Sequence, residues 1–144
     1  MTRTSRRTGL DRGTAIVESA LTLFLFFLIL FGILEVGRFV QTQENLTNAA
    51  REGARLAVTP LPGTSTLPTA VEVENRVQGF IDSARLTGAT VTVTPDTVTY
   101  GAVDTDLTRV RVELPYNLLT GLPWFEALEV TLTGEAVMRN ETSP

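Results

Sequence analysis

The longest apolar segment of the chain lies close to its N-terminus. Residues 19–34 carry no charge and are rich in leucine and phenylalanine. Counted from Thr14, an apolar helix ending at Leu34 rises about 30 Å, which is the thickness of a bilayer's hydrocarbon core. The pattern predicts a transmembrane helix over residues 14–35. A cleavable secretory signal fits poorly, because the apolar run is long and no small-x-small cleavage site follows it.

The helical pattern continues beyond this apolar segment. Apolar positions recur at a helical period, and no proline occurs before Pro60. We therefore predict one helix from about Thr14 to Val58, of which residues 36–58 form an extracytoplasmic helical stalk. One face of the stalk carries small residues suited to close helix packing, namely Ala50, Gly53, Ala54 and Ala57. This face lies either on the protein's own domain or against another subunit, and the sequence leaves both alternatives open.

The remainder of the chain predicts a small extracytoplasmic α+β domain over residues 69–144. Residues 59–68 form a Pro-rich loop that ends the long helix. Helical spacing predicts a second helix over residues 69–86 with Thr69 as its N-cap. Alternation with a period of two predicts an antiparallel sheet of three to four strands at residues 89–94, 97–100, 107–114 and 128–138. A turn is predicted at Pro95-Asp96 and a connection at residues 101–106.

The charge distribution predicts the orientation in the membrane. All 12 basic residues are arginine, and four of them lie in the first 13 residues, where Asp11 is the only acid. This basic leader, residues 1–13, is expected to stay cytoplasmic, with everything after Glu35 extracytoplasmic. The protein is thus expected in the inner, or cytoplasmic, membrane. The acidic remainder offers no basic face, so we predict no nucleic-acid partner.

The composition also argues against catalysis. The chain contains no cysteine and no histidine, so the commonest general base, the thiolate ligands and the His-assisted nucleophiles are missing. No spacing typical of a nucleophile, metal site or phosphate loop occurs. Asp104 and Asp106 alternate as in a calcium loop but supply too few ligands. We predict no enzymatic activity, no cofactor and no metal.

A more specific pattern lies where the basic leader meets the apolar segment. Gly13 offers a sterically open peptide bond to a protease at the cytoplasmic face, and a cut after it frees the amine of Thr14. Glu18 follows five residues after Gly13. A carboxylate at mid-depth in the bilayer costs on the order of 3 kcal/mol, so an ion pair of Glu18 with that amine is expected, within one chain or between subunits. Alternatively, Glu18 lies near enough to the interface to snorkel.

The spacing of Gly13 and Glu18 resembles that of a known protein family. Gly13 followed by Glu18 resembles the processing site of type IV pilin-like proteins, which a membrane-bound prepilin peptidase cleaves after the glycine. Together with residues 31–38 and 49–55, the segment 12–21 resembles the TadE-like family of pilus assembly proteins, and the tail at residues 134–141 is similar to the way such chains often end. The chain departs from that pattern by having Ser19 in place of the usual phenylalanine and Phe24 in place of the usual proline. The missing proline implies a straighter, unbroken helix.

The resemblance implies a minor pilin or pseudopilin of a tight-adherence, or Flp-type, pilus system. Such a protein is cut after Gly13 and works in pilus biogenesis, cell adhesion and biofilm formation. The resemblance further implies that Glu18 neutralises the Thr14 ammonium of an adjacent subunit. The implied partners are membrane lipid, a prepilin peptidase, other pilins or pseudopilins and the inner-membrane assembly platform. Whether the subunit enters the fibre or only primes assembly is left open.

The alternative function belongs to another class. Trp124 and Phe125 lie in an apolar turn between two predicted strands and either cap the core or form an interaction tip. With such a tip, the chain would be an unprocessed single-pass membrane-anchored binding or scaffold domain. The substitution Gly13→Leu separates the two functions, because it matters only for a processed pilin.

Overall fold

The computed structural model describes residues 8–100, 103–118 and 128–140. These residues form two helices and three strands, in the order α1 (Thr8–Val58), α2 (Ala70–Ser83), β1 (Thr90–Tyr100), β2 (Val103–Leu118) and β3 (Leu128–Arg139). The chain divides into two compact units, Met1–Arg38 and Phe39–Pro144. The predicted α+β class, with a long N-terminal apolar helix before a small domain, is confirmed.

The long helix α1 is continuous over 51 residues. It already includes Thr8, the first residue that the structure describes, whereas a start at about Thr14 was predicted, so Gly13 lies inside the helix and not ahead of it. It ends at Val58, as predicted, because Pro60 disfavours helical backbone at the preceding residue. The Thr59 hydroxyl donates to the Arg55 carbonyl at 2.7 Å and so satisfies one of the acceptors left open at the helix end.

The second helix, α2, begins at a complete capping box. The Thr69 hydroxyl accepts a hydrogen bond from the Glu72 N–H at 3.4 Å, and the Glu72 carboxylate accepts one from the Thr69 N–H at 2.8 Å. The predicted N-cap is therefore confirmed. The helix ends at Ser83, earlier than the predicted Leu86, and Arg85 follows in the left-handed region at φ 58°.

The three strands form an antiparallel sheet in the order β1-β2-β3. The predicted turn at Pro95-Asp96 is wrong, because β1 runs through both residues and Pro95 pairs with Thr108. Among the described strands β1 is an edge strand with β2 as its one neighbour, and a proline is tolerated in such a position. The predicted connection at residues 101–106 is also too long, because β2 already begins at Val103.

The central strand β2 contains a proline of its own. Its pairing with β1 extends to Glu113, opposite Thr90, whereas its pairing with β3 continues to Leu118. Pro115 therefore lies in the part of β2 that pairs with β3 alone, opposite Thr131. It meets the same single-neighbour condition as Pro95 on the edge strand.

The core of the second unit lies between the helices and one face of the sheet. It is built largely from small and β-branched side chains, with Leu46 and Ile81 as the largest fully buried ones. The buried cluster consists of Leu46, Ala49, Ala50, Ala54, Ala57, Val73, Val77, Ile81, Val110, Val112, Leu114, Tyr116 and Leu132. Residues 42–58 of α1 thus contribute one face to the core of this unit.

Candidate assembly helix and its outer domain

The N-terminal part of α1 exposes its apolar side chains on every side. All residues from Gly13 to Leu34 are exposed, and their large apolar side chains range from 40% exposed at Leu30 to 70% at Ile16. An apolar surface of this extent indicates contact with lipid or with other protein. Within the residues that the structure describes, the helix from Gly13 to Val58 is long and apolar enough to cross a membrane, which fits a single-pass anchor.

One face of this apolar helix carries polar side chains. Thr14, Glu18 and Thr22 are spaced four residues apart and therefore lie on one face. The Thr22 hydroxyl donates to the Glu18 backbone carbonyl at 2.9 Å, so its hydrogen bond closes within the helix. The Glu18 carboxylate is exposed and takes part in no ion pair among the side chains that the structure describes. A carboxylate on an apolar helix needs such a partner inside a membrane.

Gly13 and Thr14 lie side by side in the early turns of α1. Among the residues that the structure describes, no atom lies within 4 Å of the position that a Gly13 Cβ would occupy. The peptide bond between Gly13 and Thr14 lies within the helix.

The small residues of the outer half of α1 are buried in the protein's own domain. Ala50 and Ala54 are fully buried, and Ala57 is nearly so. A Cβ on Gly53 would lie 2.5 Å from Val77 Cγ2 on α2, closer than such atoms approach. The glycine therefore allows α1 to lie against α2, and the structure favours the first of the two alternatives left open by the sequence.

Two further contacts of α1 with the sheet were not predicted. A Cβ on Gly134 of β3 would overlap the backbone of Leu46 and Thr47, so strand and helix approach each other to backbone contact. Nearby, the Gln43 side-chain amide donates to the Thr133 carbonyl at 2.8 Å. A glycine in an alternating strand is a local sign of such an approach.

Ion pairs on α1 occur at the spacing that the sequence provides. Arg38 contacts Glu35 at 3.2 Å, and Arg55 contacts Glu52 at 2.8 Å. The hydrogen bond from Arg55 lowers the pKa of the Glu52 carboxyl. The positive charges of Arg55 and Arg76 lower this pKa further. The Arg55–Glu52 pair is solvent-exposed and Arg38 is exposed beside a partly buried Glu35, so both pairs contribute little to folding.

The outer face of the sheet carries alternating charges. Arg109 on β2 contacts Asp96 on β1 at 3.4 Å and also Glu135 on β3. Its hydrogen bond with Glu135, followed by that with Asp96, raises the pKa of the Arg109 guanidinium. All three side chains are partly exposed, so this face is solvated. The two ion pairs link the three strands across it.

The aspartates considered for a calcium loop are used within the sheet. Thr99 donates to the Asp104 carboxylate at 2.7 Å, and Thr97 donates to that of Asp106 at 3.1 Å, each across the β1–β2 pairing. In the described ranges, no group of three or more His, Cys, Asp or Glu residues is arranged to hold a metal ion. The candidate interaction tip, Trp124 and Phe125, lies outside the described residues.

The exposed apolar helix and the compact second unit, Phe39–Pro144, which we call the outer domain, fit a class of protein, the single-helix membrane-anchored α+β proteins. Residues 13–55 match the model of the TadE family, described as TadE-like protein. The match begins at Gly13 and includes Glu18, so the resemblance to this family is confirmed over residues 13–55. This family is not known to be enzymatic. No curated protein and no solved structure matches the chain.

Proposed function

We propose that the chain is a minor pilin or pseudopilin of a tight-adherence pilus system, which is cut after Gly13 and assembles through α1. One observation carries the proposal: the family match starts at Gly13, where the exposed apolar part of α1 begins, and Glu18 is the one acidic residue between Gly13 and Glu35. A pilus-associated family also favours contacts with the membrane and with other pilus components. The narrower partners, a prepilin peptidase and the inner-membrane assembly platform, belong to the proposal.

The proposed processing step is a hydrolysis. Water adds to the Gly13 carbonyl carbon and the bond to the Thr14 nitrogen breaks. Gly13 is left as a carboxylate at the end of the leader, and Thr14 gains an amine that takes up a proton to become an ammonium. That cation lies one helical turn from Glu18, on the same face of α1. Inside the bilayer, the Thr14 ammonium of one subunit then neutralises Glu18 of a neighbouring subunit as the helices bundle.

The proposal also fixes the arrangement in the membrane. The leader, residues 1–13, lies in the cytoplasm because four of its residues are arginine. Residues 14–35 span the inner membrane, and the outer domain lies on the extracytoplasmic side. Adhesion and biofilm formation follow as functions of the assembled pilus.

The absence of lysine makes the processing step directly measurable. Because every basic residue is arginine, the only primary amine of the chain is its N-terminal one. The full chain is co-expressed with a prepilin peptidase and treated with an amine-reactive label, and the labelled peptide is identified by mass spectrometry. The label is expected on Thr14 for the wild type and in the leader for Gly13→Leu. A wild-type chain that is labelled only in its leader would overturn the proposal.

The ion-pair role of Glu18 is tested separately from cutting. Glu18→Gln keeps the shape of the side chain and removes its charge, so cutting is expected to proceed while incorporation into pilus complexes falls at least tenfold. Ser19→Ala, one position along the same helix, is the matched control and is expected to assemble like the wild type. If both variants copurify with pilins at the wild-type level, Glu18 has no role in assembly.

A further inference from the structure

The bond proposed for cutting lies inside a regular helix. α1 begins at Thr8 and runs through Gly13 and Thr14 without a break. In α-helical geometry the Gly13 carbonyl accepts from the N–H four residues later, and the Thr14 N–H donates to the carbonyl four residues earlier. Both halves of this peptide bond are therefore engaged in helix hydrogen bonds. A protease that binds its substrate as extended backbone cannot bind this peptide bond while the bond is helical.

The two sides of the bond differ in how readily they can unwind. On its C-terminal side, Ala15, Ile16 and Val17 begin the apolar segment, where a broken backbone hydrogen bond finds no water to replace it. On the N-terminal side, the helical residues 8–13 include two glycines, Gly9 and Gly13. Each glycine disfavours the helix relative to alanine by an amount that corresponds to about a fivefold change in an equilibrium constant.

Unwinding from Thr8 to Gly13 also leaves a stable helix behind. Thr14 then becomes the residue that precedes the remaining helix, and threonine is among the preferred N-cap residues. Glu18 comes to lie in the first turns of the shortened helix, where a negative charge favours the positive end of the helix dipole. The sequence thus places a good helix start directly after the bond that is to be freed.

We infer that the leader turns of α1, residues 8–13, unwind before the chain is cut, and that Gly9 acts as a positioning residue by keeping these turns easy to open. Gly9 lies four residues before Gly13, one helical turn away from the bond. This inference rests on the proposed processing and adds a step to it. The rate of cutting is then set by the helix stability of the leader in addition to the identity of the residues beside the bond.

The test varies helix stability at a distance from the bond. Full-length chains are co-expressed with a prepilin peptidase, and the uncut and cut forms are followed by pulse-chase labelling. Gly9→Ala is expected to slow cutting by up to about fivefold, and Leu10→Gly to speed it. The double variant Gly9→Ala/Leu10→Gly moves the glycine by one position and is expected to be cut at about the wild-type rate.

The outcomes separate the inference from the proposal beneath it. If the wild type is never cut, the proposed processing fails. If the wild type is cut and all variants are cut at the same rate, only the unwinding step is overturned. If the double variant is as slow as Gly9→Ala or slower, residue 9 acts by direct contact with the peptidase, which also overturns the inference. Recovery in the double variant supports it.

Discussion

The two halves of α1 differ in the exposure and the size of their apolar side chains. From Gly13 to Leu34 the apolar residues are mostly leucine and phenylalanine, and all of them are exposed. From Thr42 to Val58 the helix carries mainly small residues on one face, and that face is buried against α2 and the sheet. The difference shows that side-chain size, more than apolar character, separates the part suited to lipid from the part that packs on its own domain.

Two leucines on the same helix give the largest contrast between these regions. Leu46 is fully buried, whereas Leu25 is 56% exposed. We expect Leu46→Ala to lower the free energy of unfolding of the outer domain by about 2–5 kcal/mol, because it leaves a cavity in the core. Leu25→Ala is expected to change it by less than about 0.5 kcal/mol. Denaturant unfolding of the full chains in detergent measures both, and equal effects would remove the distinction.

Two glycines within the outer domain sharpen the comparison further. Gly134→Ala brings a methyl group onto the backbone of Leu46 and is expected to cost about 1–3 kcal/mol, since backbone relieves an overlap less easily than a flexible side chain does. Gly79→Ala, in α2 with nothing within 4 Å, is expected to stabilise by about 0.5–1 kcal/mol. Thermal unfolding in detergent measures the pair. A stable Gly134→Ala variant would contradict the close approach of helix and strand.

The cap of α2 provides a smaller change that is confined to the outer domain. Thr69→Ala removes the hydroxyl that accepts the Glu72 N–H and is expected to cost about 1 kcal/mol. Thr69→Ser keeps the hydroxyl and is the matched control. Thermal unfolding of both variants measures the cap. Incorporation into pilus complexes at the wild-type level would show that assembly depends on the first half of α1 and not on this cap.

The smallest effect expected is that of pH. The chain has no histidine, cysteine or lysine, so no side chain with its ordinary pKa changes charge between about pH 6 and 9, and stability should be constant there. The hydrogen bonds from Thr69 lower the pKa of Glu72 in the folded state, so its contribution is present above the ordinary carboxyl pKa and is lost as the pH falls through the folded value. Denaturant midpoints from pH 3 to 9 measure this. A midpoint that moves between pH 6 and 9 would contradict it, and Thr69→Ala should show a smaller acid decline.

Sequence patterns predicted the elements whose signals are local. The start of α2 followed from Thr69, and the end of α1 followed from the prolines after Val58. The single strand through Pro95 was missed, because whether a proline breaks a strand depends on its neighbours, and the edge position of β1 is a property of the whole sheet. The start of α1 at Thr8 was missed for a related reason, since the glycines of the leader weaken a helix without forbidding it.

The candidate site was predicted in part. Gly13, Thr14 and Glu18 are distinguished by residue type and spacing alone, and the family match covers all three. The burial of Ala50, Gly53 and Ala54 was not decided by the sequence, because small residues favour a close approach without identifying what approaches. The close packing at Gly53 depends on Val77 and Val110, which lie on α2 and β2, far along the chain from α1.

The glycine contacts of α1 also have a mechanical consequence. Gly53 allows α1 to pack closely on α2 and β2, and Gly134 allows β3 to contact the backbone of α1. The helix is therefore held by close contacts at two points along its length. A pull along the axis of residues 42–58 of α1 would load both contacts at the same time. Such a load shears all of the interdigitated contacts together, whereas peeling would break them one at a time. The resistance of these contacts to sliding would then hold this part of the helix in its own domain.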